Sequence, residues 1–130
     1  MIVIDASALV EALLGMPASE QVEEWLFGSR EAVHAPHLID AEIAQVVRRY
    51  ASRGYISAET GHSAMIDLMD LQLLRHRHDF LLPRVWELRN NLTAYDAVYV
   101  ALAEVLDAPL ITRDRRIAGA AGHHAEVRLI

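Results

Sequence analysis

The sequence predicts an α/β domain built in three layers, α/β/α, around a central and mainly parallel sheet. Three observations lead to that fold class. Short β-branched or apolar runs at 1–4, 109–112 and 127–130 are separated by segments whose apolar residues recur at helical spacing. Strands joined through helices return to the same end of a sheet, so they pair in parallel. The chain has 130 residues, 53% of them hydrophobic and none of them cysteine. That is the size of one compact domain, here expected over 1–130, which buries enough surface to need neither disulfides nor a structural metal.

The elements follow in order. Met1 to Ile4 read as a buried strand ending at Asp5, and a helix follows through Leu9, Val10, Leu13 and Leu14. Gly15 interrupts it. Pro17, Ser19 and Glu20 suit the first turn of a second helix with Val22, Trp25 and Leu26 on its inner face, ending at Gly28. A weak strand over 32–35 precedes Pro36, and Ile39, Ile43, Val46, Val47 and Tyr50 then repeat at helical spacing up to Gly54. Ser57 opens a further helix carrying Met65, Leu68 and Met69, and 73–77 read either as a short strand or as an exposed connection. Asp79 reads as the N-cap of a helix through Leu82, Val85, Trp86 and Leu88, with Asn90 and Asn91 turning the chain. Thr93 caps a helix over 94–106 that is apolar around most of its circumference and therefore expected to be buried.

Composition removes several function classes. All twelve basic residues are arginine, so lysine Schiff bases and lysine phosphate anchors are excluded, and with them P-loop and pyridoxal-phosphate chemistry. The net charge of -6 argues against a broad basic surface for nucleic acid. Without cysteine there is no thiol redox chemistry and no thiolate metal site. The N-terminus has no positive leader, and no apolar run approaches membrane-spanning length, so a cytoplasmic protein without membrane contact is expected.

In open parallel sheets, ligands bind beyond the carboxyl ends of the strands. Asp5 follows the first strand and Asp114 follows the strand over 109–112. Each is also a natural N-cap for the helix after it. Two further acids, Glu42 and Asp96, interrupt segments that otherwise read as buried, and a buried carboxylate needs a cation. The alternatives are a solvated outer face for Glu42 and, for Asp96, the N-terminal dipole of its own helix. Four separated acids with no cysteine or histidine at ligand spacing suggest a shared site of hard oxygen donors, suited to Mg²⁺ or Mn²⁺ and to phosphodiester hydrolysis. Ser7 and Thr112 lie two residues from Asp5 and Asp114, where their hydroxyls can orient these carboxylates or can simply cap helices.

The segments IVIDASALV, PHLIDAE, LTAYDAVYVALAE and APLITRDRRIA, in that order across nearly the whole chain, resemble a PIN domain of the VapC toxin type. The resemblance implies that Asp5, Glu42, Asp96 and Asp114 bind one or two Mg²⁺ or Mn²⁺ ions and cleave single-stranded or loop RNA. It also implies a homodimer and a VapB-type antitoxin that holds the chain inactive. Many relatives carry another acid or asparagine shortly after the last motif aspartate, where this sequence has Arg115 and Arg116. For the dimer surface the candidates are helices bearing Leu9, Leu13 and Trp25, or Met65 and Met69, although a methionine stripe is usually core.

Arg113, Arg115 and Arg116 flank the proposed acidic site and are candidate RNA contacts through bidentate binding of phosphate. The run Arg75 to His78 has the spacing of a two-histidine metal site but no third ligand, and reads as solvated surface, as does His123–His124. Two other readings compete with the nuclease. A phosphatase of the haloacid dehalogenase type expects a second acid where Ser7 stands, and a non-catalytic PIN-like module would bind a protein partner with the same fold.

Overall fold

A computed structural model describes residues 1–130. Five short strands, β1 (Ile2–Ile4), β2 (Val33–Pro36), β3 (Leu74–His76), β4 (Leu110–Thr112) and β5 (Val127–Leu129), form one sheet in the order β3-β2-β1-β4-β5. Every pairing is parallel. The segment over 73–77 thus resolves as an edge strand. β1 and β2 are buried along their whole length, which explains why they lack polar alternation.

Seven α-helices connect the strands: α1 (Ala6–Leu13), α2 (Ser19–Glu23), α3 (Leu38–Ser52), α4 (Ala58–Asp70), α5 (Leu82–Glu87), α6 (Ala94–Leu106) and α7 (Arg115–Gly119). Helices α1 to α4 pack on one another, whereas α6 packs on α5 and lies against β1, β2 and β4. Seven consecutive residues of α6, Ala97 to Ala103, are buried, so its all-round apolar character reflects enclosure rather than a single inner stripe. Side-chain caps fall at Asp5, Ser57, Thr93 and Asp114, each accepting from a backbone N–H of the first turn.

The structure corrects four sequence expectations. Asp79 does not cap α5; it begins a 3₁₀ turn, Asp79–Leu81, and its carboxylate pairs with Arg77. Pro17 lies before α2 rather than in its first turn, because the chain enters through a turn whose Ala18 N–H donates to the buried Glu11 carboxylate. Leu9 is wholly buried in the core and has no surface to offer a second copy. Finally, two members of the 75–78 run are not solvated. Arg75 makes a bidentate pair with Asp40, and His76 Nε2 lies 2.8 Å from Nδ1 of the buried His34. Pairing with β2 brings the two side chains, on opposite faces of the sheet, against Asp40 and His34, a consequence no local pattern could carry.

Strand order fixes where a site can form. Connections leave β1 toward β2 on one side, while β4 pairs on the other, so a crevice opens beyond the carboxyl ends of β1 and β4.

Candidate active site

Asp5 is the first residue beyond β1 and is almost fully buried, at 4% exposure. Its Oδ1 accepts the Ala8 N–H at 3.0 Å and the Ser7 hydroxyl at 2.7 Å, and its Oδ2 accepts the Thr112 hydroxyl. Those two hydroxyls also act as acceptors. Ser7 Oγ takes the Arg113 N–H at 3.0 Å, and Thr112 Oγ1 takes the Asp114 N–H at 2.9 Å. The loop after β4 is therefore laced to the Asp5 carboxylate, and the lacing sets where Asp114 stands. Capping and site construction turn out to be the same set of bonds.

The other acids arrive from two helices. Glu42, in the second turn of α3, is half-buried and accepts the Tyr99 hydroxyl at 2.6 Å. Asp96 lies in the first turn of α6, three residues before Tyr99, so the two share a helix face. Together with Asp5 and Asp114 they line one cleft of about 650 Å³, whose walls include Leu38, Gln45, Arg49 and Tyr95.

Electrostatics separates the four acids. Burial pushes the Asp5 carboxyl above the usual aspartate range, its hydroxyl and amide donors offset part of this, and the nearby Asp96 adds to the rise. Glu42 is raised by burial and by Asp5 and Asp96, against the pull of the Tyr99 hydroxyl. Asp96 is raised by burial, with a further contribution from Asp114. Asp114 alone is lowered, because Arg116 binds it at 2.7 Å. No three acidic or histidine side chains converge as a preformed metal group. The carboxylates instead spend their oxygens on Ser7, Thr112, Tyr99 and Arg116.

The arginines divide. Arg116 neutralises Asp114, and Arg113 turns to the buried Glu11 at 3.5 Å, while Arg115 is exposed without a carboxylate partner. Sequence reasoning missed Tyr99, Arg49 and Glu11. Tyr99 was findable, since it follows Asp96 by three residues; Glu11 was visible only as an acid within an apolar run.

The model of the PIN domain family matches residues 2–122. The chain belongs to the PIN-domain family. It is 43% identical over 130 residues to ribonuclease VapC1 of Mycobacterium tuberculosis, covering 98% of this chain and 96% of that one. Ribonuclease VapC12 of the same organism is 41% identical, covering 100% and 99%. Among solved structures, the VapBC2 complex of Rickettsia felis, bound to a DNA fragment from its promoter, superposes with a TM-score of 0.72 at 16% identity, over 99% of this PIN domain and 98% of the matched chain. The expected fold class holds for this PIN domain, and none of its helices is long and apolar enough to cross a membrane.

Proposed function

We propose that this PIN domain, spanning 1–130, is an endoribonuclease toxin that hydrolyses RNA phosphodiester bonds with Mg²⁺ or Mn²⁺ and is neutralised by a VapB-type antitoxin. The observation that carries this reading is the meeting of Asp5, Glu42, Asp96 and Asp114 in one cleft at the switch point of the sheet. The relatives named ribonuclease VapC support it.

The donor set fits a hard divalent cation. All four groups offer oxygen, and three of them, Asp5, Glu42 and Asp96, have carboxyl groups raised by burial first and by neighbouring acids, since the one bound cation, Arg116, is paired with Asp114. Asp5, Glu42, Asp96 and Asp114 would hold the ion, which supplies water activation and neutralisation of phosphate charge. Ser7 and Thr112 fix the orientation of Asp5, Tyr99 fixes Glu42, and the Thr112 hydroxyl holds the Asp114 backbone in register with them. Arg116 holds Asp114 at 2.7 Å and supplies a charge that a bound cation would take over.

For the antitoxin, a second hollow of about 550 Å³ offers a seat apart from the acids. Leu13, Leu26, Phe27 and Leu71 line it with Glu23, Asp67 and Asp70, and Phe27 is 73% exposed. Such a surface suits an amphipathic helix with basic flanks. A homodimer completes the proposal, with the exposed Met69 and Ile66 of α4 as apolar side chains left for it; light scattering at micromolar concentration tests it.

The decisive test is cleavage of RNA by the purified chain. Mg²⁺-dependent cleavage that stops in EDTA, returns with Mn²⁺ and disappears when the antitoxin is co-purified is the expected result. A chain that binds no Mn²⁺ and leaves RNA intact refutes the nuclease and favours the protein-interaction module.

A further inference from the structure

Two cavities meet at Asp96 and Arg116. One is the acidic cleft, and the other is a polar groove of about 370 Å³ lined also by Arg89, Asn90, Asn91 and Thr93. The turn bearing these residues runs from α5 into α6 and is braced from behind. Gly122, at φ +89°, passes so close that a Cβ there would stand 2.6 Å from Asn91 Nδ2, and its carbonyl accepts from Arg84 at 3.0 Å. Thr93 uses its hydroxyl to cap α6. The Asn90 amide and the Arg89 guanidinium line the groove and are left free for a ligand, while the Asn91 amide packs on Gly122.

Arg89 differs from Arg84, Arg113 and Arg116. Arg113 and Arg116 are bound to Glu11 and Asp114, and Arg84 to Glu104 and Glu87. Arg89 has no carboxylate partner; its guanidinium lies over the Trp86 ring, 4.6 Å from the centroid, and gives one N–H to the Trp86 carbonyl. The remaining donors are held in place and uncommitted, the arrangement that suits a phosphate. Trp86 is 68% exposed, so its ring serves the arginine rather than the core. In a chain of net charge -6, a polyanion is not gathered by the overall field and must be held by such local cations. Arg49, which lines the acidic cleft, likewise makes no carboxylate pair.

We propose that this groove binds the nucleotide flanking the cleaved phosphodiester in single-stranded RNA. Arg89, braced on Trp86, holds the adjoining phosphate, and the Asn90 amide faces the base. The strand thereby enters the acidic cleft past Asp96. This inference rests on the ribonuclease reading.

The test compares Mg²⁺-supported cleavage of a mixed-sequence RNA oligonucleotide with that of a dinucleotide, which lacks the flanking phosphate, for wild type, Arg89→Ala, Arg89→Lys and Trp86→Ala across a salt series. For the oligonucleotide, Arg89→Ala should raise KM about tenfold, leave kcat within about twofold, and flatten the salt dependence of log kcat/KM by about 0.7. Arg89→Lys should restore the salt slope but only part of the affinity, since an ammonium lacks the braced fork. Trp86→Ala should fall between, and dinucleotide cleavage should not change in any variant. If Arg89→Ala does not fold, Arg89→Lys and Trp86→Ala still provide the KM and salt-slope readings. Unchanged KM and salt slope in a wild type that cleaves RNA overturn the groove and leave the nuclease standing, and so does an equal loss on both substrates. A wild type that cleaves neither substrate overturns both.

Discussion

The Tyr99 hydroxyl donates to Glu42 Oε1 at 2.6 Å, joining α6 to α3 at the edge of the acidic cleft. The bond favours ionised Glu42, and the same contact, with burial first, drives the phenol of Tyr99 far above its ordinary range. Tyr99→Phe removes the donor while keeping the ring. Glu42 should then protonate more easily, moving the acid limb of the pH–rate profile upward, and stability should fall by about 1 kcal/mol. An acid limb that does not move would show that Glu42 takes no part in the rate.

Asp5, Glu42 and Asp96 hold protons more tightly folded than unfolded. Between the unfolded values near 4 and the raised folded ones, the native state binds the extra protons, so stability falls as pH rises through that window. In EDTA, these three carboxyls should therefore lower the melting temperature as pH rises above about 4, against His34, whose pKa burial lowers and which works in the opposite sense. Asp96→Asn removes one of these carboxylates and should melt higher than wild type at pH 8 in EDTA. Calorimetry checks both, and a variant melting at or below wild type there contradicts the repulsion argument.

The same Asp96→Asn variant should lose on the order of 100-fold or more in RNA cleavage, since it keeps the shape and discards the charge of a proposed metal ligand. Its expected thermal gain in EDTA separates this loss from unfolding. Activity near wild type in Mg²⁺ removes Asp96 from the site.

Arg116 supplies the positive charge that Asp114 would otherwise seek from a metal ion. Arg116→Ala should raise the Asp114 carboxyl toward its ordinary value and tighten Mn²⁺ binding, as read by titration calorimetry. Weaker binding would mean that Arg116 orients Asp114 toward the ion instead of competing with it.

Far from the acids, Arg84 makes a bidentate bond to the nearly buried Glu104, which also accepts the His124 N–H. Burial alone would raise Glu104, but Arg84 and the His124 amide together leave it lowered. Its contribution to stability is present above the unfolded value near 4.3 and is lost as pH falls through the folded one. Arg84→Ala strands this carboxylate and should cost about 2 kcal/mol, with Tm down by roughly 5–10 °C. A smaller shift at pH 3 than at pH 7 would mark the ionised carboxylate as the cause.

Much of the fold was written in local pattern. The apolar run of β1, the caps at Asp5, Ser57 and Thr93, and the all-round apolar α6 are properties of adjacent residues, and so is the crossover rule that makes the sheet parallel. The four acids were legible for the same reason, because each stands just past a strand or interrupts an apolar stretch. What the sequence could not carry was pairing across distance. Arg113, read as an RNA contact, spends its charge on Glu11; His76, read as solvated, lies against His34; and Arg89, unremarked in the sequence, is left uncommitted beside the cleft. A side chain's partner depends on which elements the sheet order brings together, and residues 40 to 100 positions apart leave no periodic trace of one another. Local sequence thus determined the elements and the identity of the acids, whereas only the packing of α3, α6 and the loop after β4 around the end of β1 decided which charges meet and which remain free.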